Sequence, residues 1–329
     1  MRIAMYSTKR YESDAFRRAN GQVEHEIVEL EDRLRPATVP LATGAEAVCV
    51  FVNDVLDEAT LAELAEIGVR HVALRCAGFN NVDLEAAARL GLNVVRVPAY
   101  SPNAVAEHTI ALILALNRKI HKAYNRVRDG NFALDGLVGF DLAGKTVGVV
   151  GTGKIGSLVA RLAWHFRCDV VAHDPFVDPG LASLGVRYVD LDELWERSHI
   201  VSLNCPLTAA THHLVSSDVI ARIRTGAMLV NTGRGALIDT SAVIDGLKSG
   251  RIGSLALDVY EEEGALFFED RSAEVIGDDV FARLLTFPNV LITAHQAFLT
   301  HEALDAIATT TLSNLACLSA GEPCENRLV

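Results

Sequence analysis

The sequence predicts an α/β protein built from two doubly wound parallel-sheet domains, one of them discontinuous in the chain. Three observations carry that reading. Short apolar runs alternate with segments of helical periodicity along the whole length. A glycine-rich turn, Gly151-Thr152-Gly153-Lys154-Ile155-Gly156, directly follows the apolar run Val147-Gly148-Val149-Val150. A last amphipathic segment, Glu302 to Leu318, is placed to return to the first unit. Strands separated by helical crossovers imply parallel sheets covered by helices. At 329 residues, half of them hydrophobic, the chain has the material for two domains with their own cores. Residues 1–100 with 297–329 are expected to form one domain, and 101–296 the other.

In the first unit the strand-like runs are Ile3 to Tyr6, Ala47 to Val52, Val72 to Cys76 and Val94 to Val97, with helical patterns over Asp57 to Ile67 and Asn81 to Leu90. After Pro98, Ser101-Pro102-Asn103 starts a helix, proline being favoured in a first turn. Its apolar spacing runs from Val105 through Leu116 and on towards Arg128. A hydrophobic helix of that length packs between domains or against another subunit, and a homodimer or homotetramer is expected. The turn Asp141-Leu142-Ala143-Gly144-Lys145 leads into the second sheet. Its strands are Val147 to Val150, Asp169 to His173, Ile200 to Asn204, Ala227 to Asn231, Ser254 to Asp258 and Val290 to Thr293.

The glycine turn has a chemical reading because of its context. It leaves a buried strand and opens a helix, Lys154 to Phe166, with apolar residues at helical spacing. Gly151 permits the tight turn, Gly153 lets backbone approach a pyrophosphate, and Gly156 lets helix and strand pack closely. Free N–H groups and the dipole at the helix N-terminus favour the diphosphate. The fold is therefore Rossmann-like. The next strand ends at Asp174, 174 − 156 = 18 residues past the last glycine, where a carboxylate binds a ribose 2′-OH. That carboxylate repels a 2′-phosphate, so the expected cofactor is NAD.

Bulk properties exclude other classes. The net charge is −12, and a nucleic-acid partner normally needs a basic face. The most basic stretch, Arg118 to Lys122, reads as a solvated or interface-rimming face. No apolar stretch is long enough to span a bilayer, and Met1 to Ser7 reads as a buried strand rather than a signal peptide, so no membrane partner is expected. The six cysteines show no C-x-x-C pattern, which suits a reduced cytoplasmic protein. No metal is expected, since H-E-x-x-H and clustered Asp/His spacing do not occur. A serine nucleophile is equally unexpected without G-x-S-x-G.

Three polar residues follow later strands. Arg234, in Asn231-Thr232-Gly233-Arg234-Gly235, stands at a strand's carboxyl end, where side chains enter the ligand crevice. Its fork of donors suits a carboxylate and a carbonyl oxygen. His295 follows Val290-Leu291-Ile292-Thr293-Ala294, and a carboxylate beside a histidine favours imidazolium and fixes the tautomer. Spacing alone does not choose that carboxylate among Glu261, Glu262 and Glu263. His212-His213 precede no strand end.

At these residues the chain resembles the D-specific 2-hydroxyacid dehydrogenases over essentially its whole length. The marks are Leu74 to Asp83, Val97 to His108, Gly151 to Gly156, Asn231 to Gly235, Leu257 to Glu263 and Thr293 to Thr300. The resemblance implies His295 as acid/base, Glu263 as its carboxylate partner and Arg234 as the group that binds and polarises a small 2-oxo acid such as pyruvate. It implies that the backbone of Ala77 and Gly78 holds the substrate carboxylate beside Tyr100, with Phe51 and Phe298 lining the side-chain pocket. For NAD it implies Gly151, Gly153, Lys154, Ile155 and Gly156 at the diphosphate, Asp174 at the ribose, Cys205 and Pro206 along the cofactor, and Thr232, Gly233 and Asp258 near the nicotinamide. The family often has serine where Gly233 stands. A dehydrogenase for a bulkier 2-oxo acid and an NAD-sensing corepressor-like protein are the competing readings.

Overall fold

Parallel strands carry the apolar runs into two sheets. The computed structural model describes residues 1–329, apart from the side chain of residue 265. It divides into two compact units, Met1–Ser101 with Leu299–Val329, and Pro102–Phe298.

The first unit holds β1 (Arg2–Met5), β2 (Glu26–Glu29), β3 (Ala47–Val50), β4 (His71–Leu74) and β5 (Asn93–Arg96). Their order is β2-β1-β3-β4-β5, so the winding reverses between β1 and β3. Strand β3, Ala-Val-Cys-Val, is buried throughout, as an unbroken apolar run in a sheet covered on both faces should be. Val48, Val50, Val72 and Val94 are all fully buried, each contributing about 1.5–3 kcal/mol. The C-terminal helix His301–Ser319 packs on β4, β5 and the helix Arg10–Asn20, which puts the last segment of chain in this unit.

The second unit holds β6 (Thr146–Val150), β7 (Asp169–His173), β8 (Arg187–Tyr188), β9 (Ile200–Leu203), β10 (Ala227–Asn231), β11 (Ile252–Leu257) and β12 (Val290–Ile292). The order β12-β11-β10-β9-β6-β7-β8 reverses between β6 and β9. One face buries Trp195, Leu203, Leu229 and Leu255; the other buries Val149, Val159, Val230 and Ala256. Helix starts are set by aspartate caps. Asp57, Asp83, Asp190, Asp239 and Asp278 each accept the amide three residues on, at about 1 kcal/mol per cap.

The two parallel-sheet units are the α/β architecture that the sequence predicts. Three elements differ from expectation. The long helix from Pro102 breaks at Lys119, whose φ is 52°, into Pro102–Arg118 and Ile120–Arg128. Strands β2 and β8 occupy the edges of their sheets, where polar residues are tolerated because one side stays in water. No described helix is long and apolar enough to cross a membrane.

Candidate active site

The residues selected from sequence lie in segments that follow the carboxyl ends of parallel strands, Phe51 after β3 and His295 after β12 among them. The turn after β6 fits a dinucleotide on its own geometry. Gly151 has φ 88°, and a Cβ there would meet the Cys205 amide nitrogen at 2.7 Å. A Cβ on Gly156 would lie 1.9 Å from the Gly151 carbonyl oxygen, so helix and turn touch backbone to backbone. Gly153 is the reverse: nothing lies within 4 Å of its Cβ position. It caps the helix Lys154–His165 without a side-chain hydrogen bond, leaving amides for an anion. Lys154 is exposed and Ile155 half-buried at that helix start.

Asp174 closes the far side of the turn. Its Oδ2 accepts the Thr152 amide at 2.6 Å and its Oδ1 the Phe176 amide at 2.8 Å, which draws the carboxylate over the glycine turn. Cys205 and the exposed Pro206 follow β9. Burial pushes the Cys205 thiol up to about 11, with Asp174 adding to the shift, so it stays a neutral thiol.

Arg234 is held by a braced turn. Asn231 Nδ2 donates to the Arg234 carbonyl at 2.8 Å, and the Gly233 amide donates to Asn231 Oδ1 at 3.0 Å. Arg234 Nη1 donates to the Gly233 carbonyl at 2.8 Å. Among the described residues this half-buried guanidinium has no acidic partner, so its remaining donors are available to an anion or a carbonyl. Thr232 is buried and shares a 2.8 Å hydrogen bond with Thr109.

His295 has φ 53°, an uncommon conformation for a side chain with a Cβ. What enforces it is Asp258, fully buried at the end of β11. The His295 amide donates to the Asp258 carbonyl at 2.7 Å. The Asp258 carboxylate accepts Thr293 Oγ1 at 2.6 Å and the amides of Gln296 and Ala297 at 2.9 Å each. Burial opposes its charge, but hydrogen bonds from His108, Thr293 and those two amides outweigh it and hold the carboxyl below its ordinary range.

The loop carried this way places His295 Nδ1 at 2.7 Å from Glu263 Oε1. A carboxylate only accepts, so Nδ1–H donates and Nε2 is left without a partner among the described residues. Glu263 Oε2 accepts the Tyr260 amide at 3.0 Å. Of the three glutamates, Glu263 alone meets His295: Glu261 bonds His213 instead, and Glu262 is exposed. Phe268 tilts against the His295 ring at 5.7 Å between centroids. The bracing roles of Asn231, Tyr260, Thr293 and His108 have no local sequence signal.

In the first unit, Phe51 is buried beneath the Arg75 guanidinium, 5.0 Å from its ring centroid. Arg75 is itself tied to Glu12 through two 3.0 Å hydrogen bonds. After β4, the Ala77 carbonyl accepts Arg96 Nη1 at 2.9 Å and the Gly78 carbonyl faces Cys76 Sγ at 3.2 Å. The amides of Ala77 and Gly78 have no acceptor among the described residues. Tyr100 is half-buried after β5, and Phe298 is buried at the end of the second unit.

Hydride chemistry on a carbonyl needs a dinucleotide cradle and a positioned proton donor, and the second unit supplies both; the class it defines is a nicotinamide-dependent dehydrogenase. Comparison with known proteins narrows this. Residues 110–297 match the family described as D-isomer specific 2-hydroxyacid dehydrogenase, NAD binding domain. A 2-hydroxyacid dehydrogenase homolog of Haemophilus influenzae is 53% identical over 326 residues, 99% of this chain and 98% of that protein. The D-lactate dehydrogenase of Escherichia coli is 52% identical over 329 residues, 100% of both chains. The apo-structure of D-lactate dehydrogenase from Escherichia coli superposes with a TM-score of 0.93 at 50% identity, covering 100% of both chains. The chain belongs to the D-isomer specific 2-hydroxyacid dehydrogenases, and it uses NAD.

Proposed function

We propose that the protein reduces pyruvate reversibly to D-lactate, the product named for its Escherichia coli relative. The observation that carries the reading is the His295–Glu263 hydrogen bond at 2.7 Å, which leaves His295 Nε2 free to serve a substrate. NAD, when bound, supplies or accepts the hydride at C2. His295 Nε2 gives its proton to the carbonyl oxygen as negative charge develops there, and takes it back in the reverse direction. Arg234 stabilises that oxygen, its unpaired donors matching a carbonyl and a carboxylate. Glu263 orients the ring and offsets the charge it carries when protonated.

The amides of Ala77 and Gly78 bind the substrate carboxylate, with Tyr100 beside them, and Phe51 and Phe298 face the methyl group. Gly151, Gly153, Lys154, Ile155 and Gly156 hold the diphosphate, Asp174 the adenosine ribose, and Cys205, Pro206, Thr232 and Gly233 line the cofactor. Asp258 stands with Thr232 and Gly233 near the nicotinamide, and its carboxylate also holds the loop that carries His295. The uncovered apolar side chains Tyr124, Val127, Phe132, Leu134 and Val138, all within one stretch of chain, support a homodimer or homotetramer joined through that stretch. A cytoplasmic setting without nucleic-acid or membrane partners suits the acidic charge and the free cysteines.

The test is NADH oxidation with pyruvate, glyoxylate, hydroxypyruvate and 2-oxoisocaproate, with chiral analysis of the product. Fast turnover of pyruvate to D-lactate is expected, and His295→Ala should lower kcat by about 10²–10⁴-fold. A preference for 2-oxoisocaproate would move the substrate to a bulkier acid. NADH binding without any turnover would replace the enzyme reading with the corepressor-like one.

A further inference from the structure

His212, His213 and Glu261 take no part in the chemistry above, yet the fold brings them together from segments 48 residues apart. His213 Nε2 lies 2.5 Å from Glu261 Oε1, and Glu261 Oε2 accepts Thr240 Oγ1 at 3.2 Å. The two imidazoles stack, with centroids 4.0 Å apart and planes at 26°. Adjacent residues in extended backbone send their side chains to opposite sides. Here His213 has φ 51°, a left-handed conformation that costs a residue with a Cβ about 1 kcal/mol or more, and it turns both rings to one side. Its amide donates to the Ala236 carbonyl at 2.8 Å, which holds the turn.

We propose that these three side chains form a binding site for a divalent transition-metal ion of the zinc class. One atom from each residue lies within 4.8 Å of the others. Bonds of about 2.0–2.1 Å to a tetrahedral ion ask for separations of about 3.3 Å, so His213 and Glu261 open slightly from 2.5 Å and His212 shifts by at most about 1.5 Å. His212 is exposed and its ring can make that movement. Two imidazoles and a carboxylate suit zinc, cobalt or nickel, whereas magnesium and calcium prefer all-oxygen sites. Thr240 already orients the carboxylate from outside the ligand shell. The open side of the site leaves the fourth position to water.

Occupancy bears on turnover because of what the site joins. Glu261 stands two residues before Glu263, on the segment whose Tyr260 amide holds the Glu263 carboxylate. His213 is bonded to Ala236, two residues past Arg234. A bound ion therefore clamps the segments that present Arg234 and Glu263, and turnover falls as the site fills.

The test is a Co²⁺ titration of the full-length protein, read by visible d–d absorption. One ion per chain with tetrahedral-intensity bands is expected, with the bands lost in His212→Ala and affinity at least tenfold weaker in Glu261→Gln. Zn²⁺ should lower NADH turnover of the wild type in step with occupancy, while His212→Ala keeps its metal-free turnover and resists Zn²⁺. The site is overturned by absent bands at millimolar Co²⁺, or by binding undiminished in both variants. Equal Zn²⁺ inhibition of wild type and His212→Ala would overturn the coupling. The Co²⁺ titration decides the site even if the assigned oxo acid proves wrong.

Discussion

The Glu263 carboxylate is divided between two partners, His295 Nδ1 at 2.7 Å and the Tyr260 amide at 3.0 Å, so its direction is set by backbone before any substrate arrives. Glu263→Gln keeps the shape but loses the charge, and its amide can turn a donor towards the ring. We expect kcat to fall by about 10²-fold, the lower end of what a positioned acid–base group contributes. KM for the oxo acid should change by less than about threefold, as for an interaction made mainly in the transition state. Exposed Glu262→Gln should leave both unchanged. Steady-state NADH oxidation checks the pair, and equal effects at 262 and 263 would remove Glu263 from the mechanism.

The glycine turn separates binding from folding. At Gly153 an added methyl meets open space, so Gly153→Ala should hold stability within about 1 kcal/mol. That same space is the approach to the diphosphate, and the NADH dissociation constant should rise at least about tenfold, or 1.4 kcal/mol. At Gly156 the methyl meets the Gly151 carbonyl oxygen at 1.9 Å, and Gly156→Ala should cost about 3 kcal/mol of stability. Thermal melts and fluorescence titration with NADH read the two effects. Unchanged NADH affinity in Gly153→Ala would place the diphosphate elsewhere.

Much of this was legible in the sequence because buried parallel strands read as unbroken apolar runs, β6 and β10 among them, and because the glycines sit where strand meets helix. The edge strands were not. Glu26–Glu29 has only two half-buried apolar residues between exposed glutamates, and Arg187–Tyr188 is two residues long. The helix Arg10–Asn20 is mostly polar, and its burial is confined to Glu12, Ala15 and Phe16. The break at Lys119 is a single left-handed residue of a type that normally continues a helix. In the site, periodicity does not reach into the segment after β11, so three consecutive glutamates look alike until the Tyr260 amide distinguishes one. The His213–Glu261 contact joins residues that no local spacing links.

Gly233 stands where the family often has serine, and the structure holds the Arg234 turn without a hydroxyl, through Asn231. A Cβ at 233 would lie 3.3 Å from the Leu203 carbonyl oxygen, 3.4 Å from Leu237 Cδ1 and 3.5 Å from Asn231 Oδ1. Neighbours need give by only a few tenths of an ångström, and a hydroxyl finds an acceptor among them. Gly233→Ser should therefore keep stability within about 1 kcal/mol, the usual span for a substitution without a clash or a buried unpaired group. A kcat loss of tenfold or more would show that glycine is required for the Arg234 geometry.

Acid should weaken the fold before carboxylates titrate, through histidines buried neutral. The Thr146 amide donates to His199 Nδ1 at 3.1 Å, which requires that nitrogen to keep its lone pair. Burial lowers the His199 pKa, with Arg224 and Lys145 adding to it. Burial lowers His25, His71 and His121 as well. The folded pKa values thus lie below the ordinary histidine value of 6.5, which the unfolded chain keeps. Below that pH the unfolded chain takes up protons the folded chain refuses, so stability present above it is lost as pH falls through the folded pKa. Urea unfolding between about pH 8 and pH 5 should show this slope. His199→Asn offers an oxygen to the Thr146 amide and does not titrate, so its slope should be shallower than the wild type's. An unchanged slope would mean that His199 is protonated in the folded protein and that its hydrogen bond with Thr146 has been replaced.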